Sequence, residues 1–517
     1  MNRFSQLIRH YPFALILLMA VVSVAVLFIW QSRYGFSLMD EGFLWYGAQR
    51  VMVGEIPIRD FMAYDIGRYY WSAAIMSLMG DNGIVALRIS AAVFQALALF
   101  IGVAMLARSQ SHKNLLYCLL AMLTLMVWMA EQFRIFDISI PIIMVAALTY
   151  LIEKPDCRRY FLLGMIVGLA AIFGRNHGVY GVVGSLCALL YLPQKHHNPP
   201  NRFTAFKFWI SGIALGYLPV MIFIAAISGF GQAFWESIVL LFESGTTNPP
   251  LPVPWPWLAP FGEVSFLHAM HNALEGTFFL AIAAFSLLGI VWLLRNRKLS
   301  KPTSPILWAS IFLAIPYAHY AFSRADITHL APAIPPLLLG VLALLSDKPA
   351  RIKWSLATIV FSASLGVMLP MYSSLRCQYL HPCSEAWVGN DQLYIDNETA
   401  NNLIAINKLS EMFAPSDRTF IAAPFWPGAY AVMGRKSPVW ESYMLLPRNR
   451  AFQLAEITRI KAANPGFVLL NDFPLDNREE LRFRNSHSII DQYIRNNFIQ
   501  LHGYTNNPDY RLYKSKM

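Results

Sequence analysis

SLMDEGFLWYGAQRVMVGEIPIRDF, residues 37–61, follows directly on the first long apolar run and carries two adjacent carboxylates, Asp40 and Glu41. Charge beside a hydrophobic span is costly unless it is paired, used to cap a helix, or functional. Asp40 can pair with a neighbour such as Arg33, cap a helix starting at Gly42, or take a proton from an incoming hydroxyl. Capping and proton abstraction are compatible, so both readings stand at this stage.

The surrounding composition says what kind of molecule holds this stretch. Of 517 residues, 56% are hydrophobic and 14% charged, and the mean hydropathy is +0.43. That describes a polytopic α-helical membrane protein and excludes a soluble chain. Apolar runs long enough to cross or nearly cross a bilayer fall at about 12–30, 84–107, 115–130, 138–152, 161–173, 178–192, 208–228, 277–294, 305–321, 329–346 and 354–371, about eleven spans.

The loops between them alternate in charge. One set holds 17 basic residues, Arg3, Arg9, Arg108, Lys113, Lys154, Arg158, Arg159, Lys195, Arg202, Lys207, Arg295, Arg297, Lys298, Lys301, Lys348, Arg351 and Lys353, against Glu153, Asp156 and Asp347. By the positive-inside rule this set faces the cytoplasm, with the N-terminus, and the loop carrying Asp40 faces out. The same bias accounts for the net charge of +11 without any nucleic-acid partner. The N-terminal run has a signal-like look but no small-residue cleavage site before Asp40, so it reads as an uncleaved first span.

Up to the last span every basic residue of the outer loops is an arginine: Arg33, Arg50, Arg59, Arg68, Arg134, Arg175 and Arg324. A guanidinium binds phosphate oxygens in pairs and stays charged beside lipid, which suits a phosphate-bearing ligand. Local pairing of Arg59 with Asp60, Arg134 with Asp137 and Arg324 with Asp326 explains each arginine taken singly. Gly174-Arg175-Asn176-His177-Gly178 reads as a turn at the membrane surface, and YAHYAFSRADITHL gathers His319, Arg324, Asp326 and His329 between two spans. His268, His271 and Glu275 share one helical face and could ligate a divalent metal, although interfacial packing explains them better. The loop at 229–276 contains FESGTTNPPLPVPWPWLAPFGE, whose prolines exclude regular helix and whose tryptophans suit a headgroup layer.

After Tyr372 the composition becomes that of a soluble α/β domain, residues 372–517, following a membrane domain at 1–371. TFIAA (419–423) and GFVLL (466–470) read as buried strands, ANNLIAINKLSEMF and NREELRFRNSHSIIDQYIRNNF as helices, and IQLHGY with DYRLYK as a terminal β-pair. PFWPGAYAVMGRKSPVWESYMLLP (424–447) reads as an acceptor-binding segment or a structural cap against the membrane face. Cys377 and Cys383 are close enough in sequence for a disulfide in an oxidising compartment.

The stretch DEGFLWYGAQRVMVGEIPIRDF, then GRYYWSA, then a run of spans and an outer C-terminal domain, resembles the GT-C superfamily of integral membrane glycosyltransferases. Within it the chain is most similar to the bacterial branch related to dolichyl-phosphate-mannose protein mannosyltransferases and lipid A aminoarabinose transferases. The resemblance covers the whole architecture, and residue by residue it runs from about 38 to 72, with a weaker echo at SRADITHL. It implies an inverting transfer of a sugar from a polyprenyl-phosphate-linked donor to a hydroxyl on a glycan, lipid or protein acceptor, at the outer face of what would be a bacterial inner membrane with the C-terminal domain periplasmic. Asp40 matches the family's acidic base, with Glu41 as the alternative. Arg59, Arg134, Arg175 and Arg324 are the candidates for the donor phosphate, supported by Asp60, Tyr64, Arg68, Tyr69, His177, His319, Asp326 and His329. The outer loops offer no lysine, so the lysine phosphate clamp of the aminoarabinose enzymes has no counterpart here. The resemblance implies no cofactor, and a divalent metal is left open because most of the superfamily does without one. An O-antigen ligase or polymerase, or a secondary transporter, is the alternative, but a large outer loop in the one and internal repeats in the other are both missing.

Overall fold

The computed structural model describes residues 12–110, 114–192, 200–245, 248–299, 303–416, 418–503 and 507–516. Arg3, Arg9, Lys113, Lys195 and Lys301 of the basic loops lie outside the described residues. The chain is an integral membrane protein and forms two compact units. The first comprises Met1–Trp30, Ala91–Ala226 and Pro250–Tyr372, the second Gln31–Ser90, Ile227–Pro249 and Ser373–Met517.

Each of the eleven apolar runs is helical. They give α1 (Pro12–Gln31), then, after two short helices α2 (Asp40–Met52) and α3 (Ile66–Met79), α4 (Ile84–Ser109), α5 (Leu115–Val127), α6 (Ile135–Glu153), α7 (Cys157–Phe173), α8 (Arg175–Tyr191) and α9 (Arg202–Ala226). Following α10 (Phe230–Ser244) come α11 (Phe266–Lys298), α12 (Pro305–Ser323), the pair α13 (Ile327–Ala333) and α14 (Pro335–Ser346), and α15 (Ala350–Met368). Among the described residues seven helices are long and apolar enough to cross a membrane, or eight if the pair bent by 50° at α13–α14 is one span. The remaining runs fall short of the expected eleven for a reason of length. The 13 residues of α5 rise only about 20 Å and the 17 of α7 and of α8 about 25 Å, against about 30 Å of hydrocarbon.

Within the first unit, α7 and α9 touch backbone to backbone. Gly164 and Gly168 on one helix face Gly212 and Gly216 on the other, and a Cβ on Gly164 or Gly212 would fall 2.0 or 2.1 Å from a carbonyl oxygen of the partner helix. In lipid, where apolar burial gives no net drive, such small-residue faces let helices gain dispersion contact.

In the second unit the sheet runs β3-β4-β6-β5, preceded by a hairpin of β1 (Cys383–Val388) and β2 (Asp391–Asp396). Here β3 is Ile421–Ala423, β4 Phe467–Asn471, β5 Phe498–Leu501 and β6 Tyr510–Ser515. The β3–β4 pair is parallel and the other two antiparallel. β4 is a continuous buried run, as a strand covered on both faces must be. Ile421, Val468, Leu470, Ile490, Ile494 and Tyr513 form its core. Helices α16 (Asn397–Phe413), α17 (Pro427–Met433), α18 (Arg450–Ala463) and α19 (Ser488–Asn497) complete the unit. The expected long helix at 477–498 is instead short 3-10 turns and one helical turn leading into α19, because Arg478, Arg482 and His487 leave the helical backbone region and interrupt the run. Cys377 and Cys383 form a disulfide at the entry to the hairpin.

The stretch 31–90 is stitched into this unit. Gly428 N–H donates to the Leu38 carbonyl at 2.8 Å, Met62 N–H to Trp440 O at 2.9 Å, and Gly35 N–H to Tyr394 O at 2.8 Å. Ser437 N–H reaches the Tyr46 hydroxyl at 3.0 Å and Trp440 Nε1 the Ile58 carbonyl at 3.0 Å. Gly42 and Gly428 are so close that a Cβ on Gly42 would lie 2.4 Å from the Cα of Gly428. The aromatic segment 424–447 therefore packs on the stretch that carries Asp40.

Candidate active site

Asp40 and Glu41 open α2, where carboxylates are favoured by the helix dipole. Asp40 is not the cap: the residue before it, Met39, holds that position, and the Ser37 hydroxyl accepts the N–H groups of Met39 and Asp40, both at 3.2 Å. Successive helical residues project about 100° apart, so the two acids face different surroundings.

Glu41 is 4% exposed and makes a two-point ion pair with Arg88, Nε to Oε1 at 2.7 Å and Nη2 to Oε2 at 2.8 Å. Arg88 is 1% exposed and donates as well to the carbonyls of Ser32 at 2.7 Å, Gly35 at 2.6 Å and Tyr34 at 3.4 Å. A buried charge needs this degree of compensation. Glu41, the alternative base, is thus occupied in holding the chain together.

Asp40 is half-buried. Its Oδ1 accepts a hydrogen bond from the Tyr443 hydroxyl at 3.1 Å. No cation pairs with it among the described residues. Tyr443 packs at 5.5 Å on Phe43, one turn on from Asp40, and Phe43 meets Tyr64 edge-on at 4.9 Å and Tyr69 at 6.4 Å. The Arg68 guanidinium lies 5.3 Å over the Tyr64 ring, and the Tyr64 N–H donates to the buried Tyr69 hydroxyl. The supporting residues Tyr64, Arg68 and Tyr69 do assemble along the face of α2 that carries Phe43.

Arg59 and Asp60 pair with each other through two hydrogen bonds of 2.8 Å. That pairing, first among the causes, holds the Asp60 carboxyl below its usual range. The turn that presents them is strained: the buried, β-branched Ile58 sits at φ 74°, a conformation such residues rarely adopt.

The other candidates lie in the first unit, and three of them, Arg134, His177 and His329, meet at Tyr320. Arg134 donates to its hydroxyl at 3.3 Å, and the rings of His177 and His329 both pack 6.0 Å from its ring. Gly174 alone breaks the chain between α7 and α8, so the expected five-residue turn is one residue long and Arg175 to Gly178 are already helical. His177 is fully buried, its Nδ1 2.9 Å from the Tyr317 hydroxyl and its Nε2 3.2 Å from Asp137. Asp137, expected beside Arg134, therefore has a histidine partner. His319 is exposed and bonds the Tyr180 hydroxyl at 2.8 Å. Arg175 is half-buried at the start of α8.

Arg324 and Asp326 lie where the chain breaks between α12 and α13. Asp326 caps α13 through the His329 N–H at 2.9 Å, accepts from Arg324 Nε at 2.8 Å, and lies 2.7 Å from His329 Nδ1. Burial alone would raise the Asp326 carboxyl, but hydrogen bonds from His329 and Thr328 and the charge of His329 hold it well below the usual carboxylate range. His268, His271 and Glu275 share α11, with His271 Nε2 bound to the Val367 carbonyl at 3.0 Å. Among the described residues no group of three metal-ligating side chains is placed to hold an ion.

No family model matches the sequence, and no curated protein matches it. Solved structures do match in fold. ArnT from Cupriavidus metallidurans bound to undecaprenyl phosphate superposes over 98% of this chain and 98% of its own, with TM-score 0.58 at 11% identity. The same protein in its apo state covers 88% and 92%, with TM-score 0.54 at 12% identity. The oligosaccharyltransferase AglB from Archaeoglobus fulgidus, in complex with an inhibitory peptide and a dolichol-phosphate, covers 99% of this chain and 75% of its own, with TM-score 0.48 at 13% identity.

Proposed function

We propose that this chain, which has the GT-C fold of ArnT, is an inverting glycosyltransferase. It would move a sugar from a polyprenyl-phosphate-linked donor to an acceptor hydroxyl on a glycan, lipid or protein, at the periplasmic face of a bacterial inner membrane. The observation that carries the reading is the state of Asp40. It is a half-buried carboxylate on the stretch with family resemblance, bonded to a tyrosyl hydroxyl and, among the described residues, to no cation. It can therefore accept a proton. The undecaprenyl phosphate bound to ArnT supports the class of donor.

In this reading Asp40 takes the acceptor's hydroxyl proton as the acceptor oxygen bonds to the anomeric carbon. The bond from that carbon to the phosphate oxygen breaks, and the electron pair leaves with the polyprenyl phosphate. A base in hydrogen-bond reach contributes about 10²–10⁴ in rate. The negative charge growing on the phosphate calls for fixed cations. Arg134, which donates to the Tyr320 hydroxyl, and Arg324, which shares Asp326 with His329, are the first candidates, followed by Arg175 and Arg59.

The test is a panel of polyprenyl-phosphate sugars offered to purified protein in nanodiscs with glycolipid, glycan and peptide acceptors. Consumption of one donor, release of polyprenyl phosphate and inversion at the anomeric carbon are the expected results. Failure to bind or consume any donor, with flux of a lipid-linked or anionic substrate across a proteoliposome membrane, would replace the reading with a transporter.

A further inference from the structure

Arg88 is built too elaborately for a spacer. It lies in the first turns of α4, inside what the sequence presents as an apolar span, and all three of its nitrogens donate. Those bonds join the exit of α1, at Ser32 to Gly35, to the first turn of α2, at Glu41. With Glu41 clamped, the rotation of the helix fixes where its neighbour Asp40 points. The remaining freedom of Asp40 is its side-chain torsions. One hydrogen bond, from Tyr443, constrains them, and Tyr443 is itself held between Phe43 and Phe425, with ring centroids 5.5 and 5.7 Å away.

We propose that Arg88 and Tyr443 are positioning residues for Asp40: Arg88, through Glu41, fixes the helix turn that carries it, and the Tyr443 hydroxyl fixes its carboxylate. This rests on the reading of Asp40 as the base. Glu41 then serves as the lever through which Arg88 acts, and takes no proton from the acceptor. A base displaced by about 1 Å costs on the order of 10² in rate while the donor, bound elsewhere, is unaffected.

The experiment measures donor Kd, single-turnover rate and thermal midpoint for Tyr443→Phe, Arg88→Lys and Asp40→Asn, and for Tyr443→Phe combined with Asp40→Asn. Tyr443→Phe, which removes one oxygen, is expected to slow turnover about 10-fold, with donor Kd within about twofold of wild type and an unchanged midpoint. Arg88→Lys, which keeps the charge and loses the fork, is expected to slow it further. In the Asp40→Asn background Tyr443→Phe is expected to add no loss of rate, because its hydroxyl influences the transfer through the Asp40 carboxylate. A wild-type rate for Tyr443→Phe beside an inactive Asp40→Asn would overturn the positioning role and leave the base standing. So would a loss that persists undiminished in the double variant. A fully active Asp40→Asn would overturn the base and this inference with it.

Discussion

The two units of this protein treat their acids differently. In the first unit two acids are occupied: Asp137 is buried against His177, and Asp326 is shared by Arg324 and His329. In the second unit the burden is divided between adjacent residues. Glu41 takes Arg88, and Asp40 keeps a single tyrosyl hydrogen bond. A carboxylate matched to a cation gains stability from its charge and loses its value as a proton acceptor. One without such a match keeps it. In the proposed reading it is this unmatched carboxylate, and not a paired one, that serves as the base.

The comparison is most exposed to failure at Glu41. Glu41→Ala leaves Arg88 buried without the carboxylate that balances its charge, and should cost about 3–5 kcal/mol, read as a sharp fall in thermal midpoint in detergent. Asp40→Ala should cost less than about 1 kcal/mol, since one partly exposed hydrogen bond is lost. Equal losses would show that the two acids do the same job.

A second acid of the second unit gives a pH-dependent check. Burial pushes Glu456 up to about 7 from its ordinary 4.5, against the charge of Arg459 and with a further push from Glu441. The folded state then holds a proton that the unfolded chain has already released between pH 4.5 and about 7. Stability should fall as pH rises through that window, with the penalty complete above it, and the total is about 3 kcal/mol. Glu456→Gln should flatten the slope of thermal midpoint against pH.

A further expected effect concerns donor affinity. Arg324→Ala should weaken donor binding about 10-fold, roughly 1.4 kcal/mol, with a rate at saturating donor that falls less than the affinity. Unchanged donor Kd would move the phosphate contact to Arg134, Arg175 or Arg59.

What the sequence made legible follows the range of the interactions. Spans were visible because apolarity is a local property. Arg59–Asp60, Arg324–Asp326 and the Cys377–Cys383 pair were visible because their partners are two to six residues apart or adjacent. Arg88 was hidden inside an apolar run, its partner Glu41 separated by 47 positions. Tyr443 and Asp40 are 403 positions apart, and Asp137 found His177 across 40. Periodicity and spacing report nothing about such pairings, which depend on how helices and loops pack in three dimensions. The same limit hid the joining of 31–90 to the C-terminal segment, because glycine 42 and glycine 428 carry no sign of each other.

The most direct test of the account is single-turnover transfer by Asp40→Asn with the donor that wild type consumes. The account predicts donor Kd within about twofold of wild type and a rate lower by at least about 10². A variant that binds donor and transfers sugar at the wild-type rate would contradict it, and Asp40 would then be a structural acid like Glu41 beside it.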